Sequence, residues 1–207
     1  MTAVEEMFAP IDEKWLGEAR KRFASPFMGT NHGHIPVDPM MLSHAAVASG
    51  KTIREFYENP ELGAHCVAVI QELYDLLPVT HWYFSLPWLV ELGMKTRYMD
   101  LMPPVPEGTI VADPSDVDKL HVPGPEDLAK GWTINQLFRA NDYVEKHMPK
   151  MFTPLAIASD ITGSAAQLCG LENFIMWTIS EPDLAHVLVR TYMETAANGA
   201  EVIADRY

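Results

Sequence analysis

Apolar positions along this chain recur with two spacings, and each spacing predicts a kind of element. Trp15, Leu16, Ala19 and Phe23 fall at the three- and four-residue steps of a helix face, with Lys21 and Arg22 at the end where the helix dipole favours cations. Pro10 splits the segment from Val4 to Phe23 in two. Ile35 to Leu42 (IPVDPMML) is taken as a first strand, although its two prolines are unusual in a central one. Thr52 followed by Glu55 has the capping-box pattern, and Asn59-Pro60 restarts the helix. From Leu62 to Leu77 the apolar stripe is expected to be Val69, Ile70, Leu73, Leu76 and Leu77. Val79 to Ser85 (VTHWYFS) is dense in β-branched and aromatic residues and reads as a second strand. Alternation puts His81, Tyr83 and Ser85 on one side of it and Trp82 and Phe84 on the other.

Pro87 to Gly93 reads as a short helix, and Lys95 to Met102 as an extended run entering a partly polyproline excursion up to Gly108. Asp113 or Ser115 caps a surface helix, and Trp132 to Lys146 is amphipathic through Ile134, Leu137, Phe138 and Val144. Pro154 to Ala158 is a short apolar run with polar residues on both sides, as expected of a strand buried on both faces. Ile161 to Cys169 forms a helix stopped by Gly170, and another runs from Glu181-Pro182 to Asn198-Gly199. Val202-Ile203-Ala204 then repeats the buried-strand signature.

Strand, helix, strand is a parallel crossover unit. The fold expected is therefore α/β: a partial TIM (β/α)8-type barrel of about the first four β/α units over residues 35–207, preceded by an N-terminal helical extension and loop over 1–34. A whole barrel takes about 250 residues, and Tyr207 follows the fourth predicted strand at once. An open four-strand sheet would leave edges uncovered. The expectation is a piece of a longer enzyme, or a half that associates with a C-terminal half-barrel chain or as a homo-oligomer; the rival is an open α/β sandwich complete in itself.

Charge and composition narrow the partners. Fifteen basic against twenty-eight acidic residues give a formal charge of −13, which repels phosphate backbones and anionic lipid and argues against nucleic acid or membrane surfaces. No run approaches the ~18 apolar residues of a membrane span, and the acidic N-terminus has no signal-peptide core, so the cytoplasm is the expected compartment. Cys66 and Cys169 lack the spacing of a zinc knuckle or a disulfide framework and read as free, buried thiols.

Candidate chemistry follows from position. Asp160 and Asp205 stand at the ends of predicted strands, where a barrel keeps its catalytic groups, and each competes with a capping or turn role. His81, Tyr83 and Ser85 are candidate substrate-binding residues if their side of the strand faces the lumen; Asp38 and His44, flanking Met40-Met41, are two more. His32 and His34 flank Gly33 in a small-residue loop without a nearby carboxylate, and a solvated loop is the better reading. No metal ligands are assigned.

The order HIPVDPM, GKTIREFYENPELGAH, VTHWYFSLPWLVELGM, KTRYMDLMPPVPEGTI, DPSDVDKL, PLAIASDITGSAAQLCGLENF, EPDLAHVLV and NGAEVIADRY resembles the N-terminal half of the uroporphyrinogen decarboxylase superfamily over about residues 30–207. That superfamily includes the haem-pathway decarboxylases and the corrinoid-dependent methyltransferases, among them methylcobalamin:coenzyme M methyltransferases and O-demethylase components. The decarboxylases grip substrate carboxylates with an arginine pair after the first strand; here no arginine occurs between Arg22 and Arg54. Their catalytic aspartate follows Phe-Ser after the second strand, where this chain has Phe84-Ser85-Leu86-Pro87, and their later tyrosine is matched by Ala166. The methyltransferase branch is the better match, through Leu92-Gly93-Met94 and the proline-rich stretch after it.

The resemblance implies transfer of a methyl group between a small methylated substrate or thiol and a corrinoid (cobalamin), with a corrinoid protein as partner and a small-molecule methyl donor or acceptor. It also implies zinc, held by ligands in the second half of the barrel. The alternatives are a uroporphyrinogen decarboxylase-like lyase and a non-catalytic half-barrel binding subunit.

Overall fold

In the computed structural model, residues 4, 7–30, 35–80, 82, 86–153 and 160–206 are described. The chain divides into two compact units. The first comprises Met1–Tyr83, Met99–Pro103 and Leu137–Pro154; the second comprises Phe84–Tyr98, Pro104–Gln136 and Leu155–Tyr207.

In the first unit, helix α1 (Glu13–Ala24) starts after Pro10, as the proline requires, and the Asp12 carboxylate accepts from the Lys14 amide at 2.6 Å. Helix α2 (Leu42–Ala48) and the short α3 (Ile53–Glu58) lead to α4 (Pro60–Leu73). Thr52 and Glu55 close the predicted capping box: Thr52 Oγ1 accepts from the Glu55 amide at 3.1 Å, and Glu55 Oε2 from the Thr52 amide at 2.8 Å. α2, α3 and α4 pack together, burying Ala45, Phe56, Tyr57, Val67 and Ile70. Leu73, expected on the buried stripe, is 65% exposed, because α4 ends there and the chain turns through Asp75 at φ 51°.

After that turn, Val79 forms a parallel bridge with Phe152. The Thr80 amide donates to Phe152 O at 2.8 Å and the Phe152 amide to Pro78 O at 2.7 Å. These contacts are the starts of the second and third predicted strands, side by side and parallel; the third predicted strand itself, 154–158, lies outside the described residues. Phe23 of α1 stacks on Phe152 at 4.5 Å and Arg20 lies over the same ring, so α1 covers this end of the pair.

Two predicted strands are absent from the described residues, and several elements present are not predicted by the sequence pattern. Residues 35–41 form no strand: Pro36 and Pro39 offer no amide to a ladder. The fourth strand is replaced by helix, since α9 runs unbroken from Pro182 to Arg206 through Asn198, Gly199 and Val202. Asp205 is thus an exposed residue in the last turn of a helix, not a strand-end carboxylate. Lys95–Arg97 (β1) and Val105–Glu107 (β2) pair antiparallel, Thr96 opposite Pro106, across what reads in sequence as polyproline. Pro106 is tolerated because a two-stranded ribbon has only edge strands. Residues 87–93 form turns instead of a helix, closed by Gly93 at φ 98°.

The other named elements of the second unit are helices. A 3₁₀ helix (Pro114–Lys119) and α5 (Pro125–Leu128) precede α6 (Trp132–His147), whose first turn belongs here and whose remainder belongs to the first unit. α7 (Ile161–Cys169) ends at Gly170 as predicted, and α8 (Leu171–Ser180), not separately predicted, follows immediately. Helices α7, α8 and α9 pack against one another, and α5 packs on α9. α8 buries Phe174 and Trp177 yet exposes Leu171, Ile175, Met176 and Ile179, the last at 84%, so it is apolar on nearly every side.

Candidate functional site

Barrel chemistry sits at the carboxyl ends of the strands, and residues 86–94 follow the second predicted strand. Leu86, Trp88, Leu89, Leu92 and Met94 are all buried there. Trp88, 2% exposed, has φ 67°, a left-handed conformation that a bulky side chain adopts at a cost. Five contacts hold this turn. The Trp88 amide donates to Thr133 Oγ1 at 3.3 Å, and Tyr192 of α9 donates its hydroxyl to Pro87 O at 2.8 Å. Glu91 accepts from the Thr133 amide at 2.7 Å and from its hydroxyl at 2.8 Å, so a carboxylate from this turn satisfies donors at the start of α6. Finally, the six-membered ring of Trp88 lies directly on Gly199 of α9. The prediction of a short helix missed this turn; its sequence signal is the pair of helix-compatible residues either side of a proline, which says nothing of a left-handed tryptophan.

Asp160 follows the third predicted strand and begins α7. Its Oδ1 accepts from the Gly163 amide at 2.9 Å, and its other oxygen lies where a Cβ on residue 163 would be, so the capping role is present in the structure. The carboxylate is exposed.

Asp38 and His44 lie in the first unit, beside the end of α4 and the start of the parallel pair. Gln71 Nε2 donates to Asp38 Oδ1 and to Val79 O, both at 3.1 Å, and His44 Nε2 is 3.0 Å from Tyr74 Oη with the two rings stacked at 5.7 Å. Strands begin at this end, so both residues lie away from the carboxyl ends that motivated them. His81, Tyr83 and Ser85, and also His32 and His34, lie outside the described residues. Their neighbour Trp82 is buried, packs on Gly63 of α4 and donates its indole N–H to Phe56 O at 3.0 Å.

One cluster in the first unit was not singled out in the sequence. His65, buried on α4, lies 2.8 Å from the Tyr143 hydroxyl through Nδ1 and stacks on Phe8 at 4.7 Å; Tyr143 in turn stacks on His147 at 4.8 Å. A cleft of about 250 Å³, walled mainly by Phe8, Pro10, Ile11, Leu16, Met148 and Met151, opens beside it.

Among the described residues, no three His, Cys, Asp or Glu side chains come together as a metal ligand set. Burial pushes the Cys66 and Cys169 thiols up to about 11.

Residues 18–206 match the sequence profile of the uroporphyrinogen decarboxylase (URO-D) family. The chain belongs to the uroporphyrinogen decarboxylase family. A solved structure, a methyltransferase from Methanosarcina mazei, superimposes with a TM-score of 0.66 at 19% sequence identity over 90% of this chain. That match covers 56% of the methyltransferase, so the chain spans little more than half its length. No curated protein matches this family member. The likeness shows the fold: a mostly helical α/β chain built as in the first part of that enzyme. No helix of the described residues is long and apolar enough to cross a membrane.

Proposed function

We propose that this chain is the front part of a TIM-type barrel enzyme that moves a methyl group between a small methylated substrate or thiol and a corrinoid carrier. The observation that carries the reading is the turn after the second strand. Where the decarboxylases place a catalytic aspartate, this chain has Leu86 and Pro87, and the residues after them bury Trp88 and Leu89. Glu91, the acid in that turn, has both oxygens engaged by Thr133. A polycarboxylate substrate would meet apolar walls there, and unpaired buried charge is costly. A neutral methyl-bearing group carries no such cost.

The substrate-facing residues proposed are His81, Tyr83 and Ser85. Alternation sets them opposite Trp82, which is buried under α3 and α4. Asp160, at the end of the third predicted strand, is proposed as a catalytic carboxylate. Among the described residues no three side chains come together as a zinc ligand set. The ligands would come from the remainder of the barrel, on a C-terminal half or a second copy.

The test is spectroscopic. The chain, produced together with its C-terminal half, is mixed with methylcobalamin and a thiol acceptor, and loss of the cobalt–carbon chromophore is followed against time. Turnover that needs both halves is expected. Release of carbon dioxide from a porphyrinogen, with methylcobalamin untouched, would replace this reading with the lyase; binding without either reaction would replace it with the scaffold subunit.

A further inference from the structure

The bare side of α8 has a definite shape. Leu171, Ile175 and Ile179 stand four residues apart, so they form one straight ridge of about 12 Å along the helix, with Met176 beside it. Each of the four is more than half exposed, while Phe174 and Trp177 are buried. The ridge is not what anchors α8, since the helix already packs on α7 and α9. Charge around the ridge has one sign. Residues 161–189, which take in α7, α8 and the first two turns of α9, hold Glu172, Glu181 and Asp183 but no lysine or arginine. The first cation after them is Arg190. Glu172 lies one turn before Met176, and Glu181 and Asp183 follow Ile179, so acids mark both ends. All three are exposed, and none forms an ion pair among the described residues.

That charge selects among occupants. Anionic lipid would be repelled by the acids at both ends of the ridge. A second copy related by a two-fold axis would set these acids against one another, whether the two α8 helices ran parallel or antiparallel, and each copy carries a formal charge of −13. A single ridge two turns long matches the groove between side-chain rows of another helix. We propose that Leu171, Ile175 and Ile179 form a docking ridge for an amphipathic helix of a partner protein, one whose apolar face is flanked by lysine or arginine that meets Glu172, Glu181 and Asp183. Burial of the ridge supplies the affinity, and the acids at its ends supply the choice of partner and the speed of encounter. The inference does not depend on which reaction the enzyme performs.

The test is a titration with a labelled peptide of leucine and lysine whose leucines fall on one helical face, followed by fluorescence anisotropy. It is run on this chain alone and on the chain produced with its C-terminal half, and saturable binding is expected in both. Ile175→Ser combined with Ile179→Ser should leave Tm unchanged, because both side chains are largely exposed, and should weaken binding at least about tenfold. Glu172→Gln combined with Glu181→Gln should weaken binding in dilute buffer and flatten its dependence on salt. A peptide of the same composition with its leucines scattered around the helix should bind at least about tenfold more weakly. Equal binding by the serine variant or of the scattered peptide would reduce the contact to charge alone and overturn the proposal. So would an affinity that the glutamine variant leaves unchanged. Binding that vanishes when the C-terminal half is present would assign the ridge to the rest of the barrel, and dimerisation of the chain alone in dilute buffer, abolished by Ile179→Ser, would assign it to a second copy; either result would overturn the proposal.

Discussion

Substituting Gly63 by alanine sets two effects of opposite sign against each other. Gly63 is inside α4, so alanine should gain about 1 kcal/mol of helix propensity. The site has no room for it. The new Cβ would be 2.7 Å from Phe56 O and would press on the five-membered ring of Trp82. Overpacking of this sort costs about 1–3 kcal/mol. Trp82 can yield only by giving up its bond to Phe56 O, now 3.0 Å, and an orphaned buried donor adds about 1–3 kcal/mol. The balance is a loss of about 1–5 kcal/mol, centred near 3, or roughly 6–12 °C in Tm for a chain of this size. Thermal melts followed by far-UV circular dichroism measure it. Gly17→Ala in α1, where nothing lies within 4 Å of the added carbon, is the control and should raise Tm slightly. Combining Gly63→Ala with Trp82→Phe removes the orphaned donor and should recover part of the loss. If Gly63→Ala is as stable as wild type, or shifts Tm upward with the control, the packing of Trp82 on α4 is not as described.

Other outcomes follow from single contacts. Thr52→Ala removes half of a capping box and should cost about 0.5–2 kcal/mol in urea denaturation. Bonds from the Thr52 amide and hydroxyl hold the Glu55 carboxyl below its ordinary range, so its contribution is complete above the unfolded carboxyl value and is lost as pH falls through the lower folded one; Glu55→Gln should flatten that acid limb of the stability curve. Cys66 and Cys169, raised by burial to about 11, should resist a thiol reagent in the folded chain and react at once in guanidinium; since the unfolded thiols ionise first, stability should fall from about pH 9 toward 11. Asp160→Asn keeps a capping oxygen and should melt like wild type, whereas Asp160→Ala should lose about 1 kcal/mol; methyl-transfer activity that falls equally in both would favour a chemical role for the carboxylate over a capping one.

The sequence was most readable where local chemistry decides the outcome. Thr52 with Glu55, Asn59-Pro60, Pro10 before α1 and Gly170 after α7 all mark boundaries that backbone geometry imposes. The family resemblance was legible for the same reason, in the order of such segments. Readability failed where a distant residue overrides local preference. Asn198-Gly199 signals a stop, yet α9 runs through it, with Trp88, more than a hundred positions earlier, packed on Gly199. The β1–β2 pairing needed knowledge of which proline faces an open edge, and Leu73 needed the turn at Asp75. Of the candidate residues, Asp160 was found at the start of a helix as its capping alternative foresaw, and Asp205 was misplaced with the strand that was expected to carry it. Asp38 is tied to Gln71 through a contact that no spacing along the chain announces.

The bare strip of Leu171, Ile175, Met176 and Ile179 along α8 also bears on how the molecule behaves in bulk. With thirteen excess negative charges, copies in dilute buffer repel one another before such strips can meet. The reach of that repulsion shrinks from about 30 Å at 0.01 M salt to about 3 Å at 1 M. Brine therefore strips away the molecule's colloidal protection, and preparations that stay clear on desalting should turn cloudy as salt is restored.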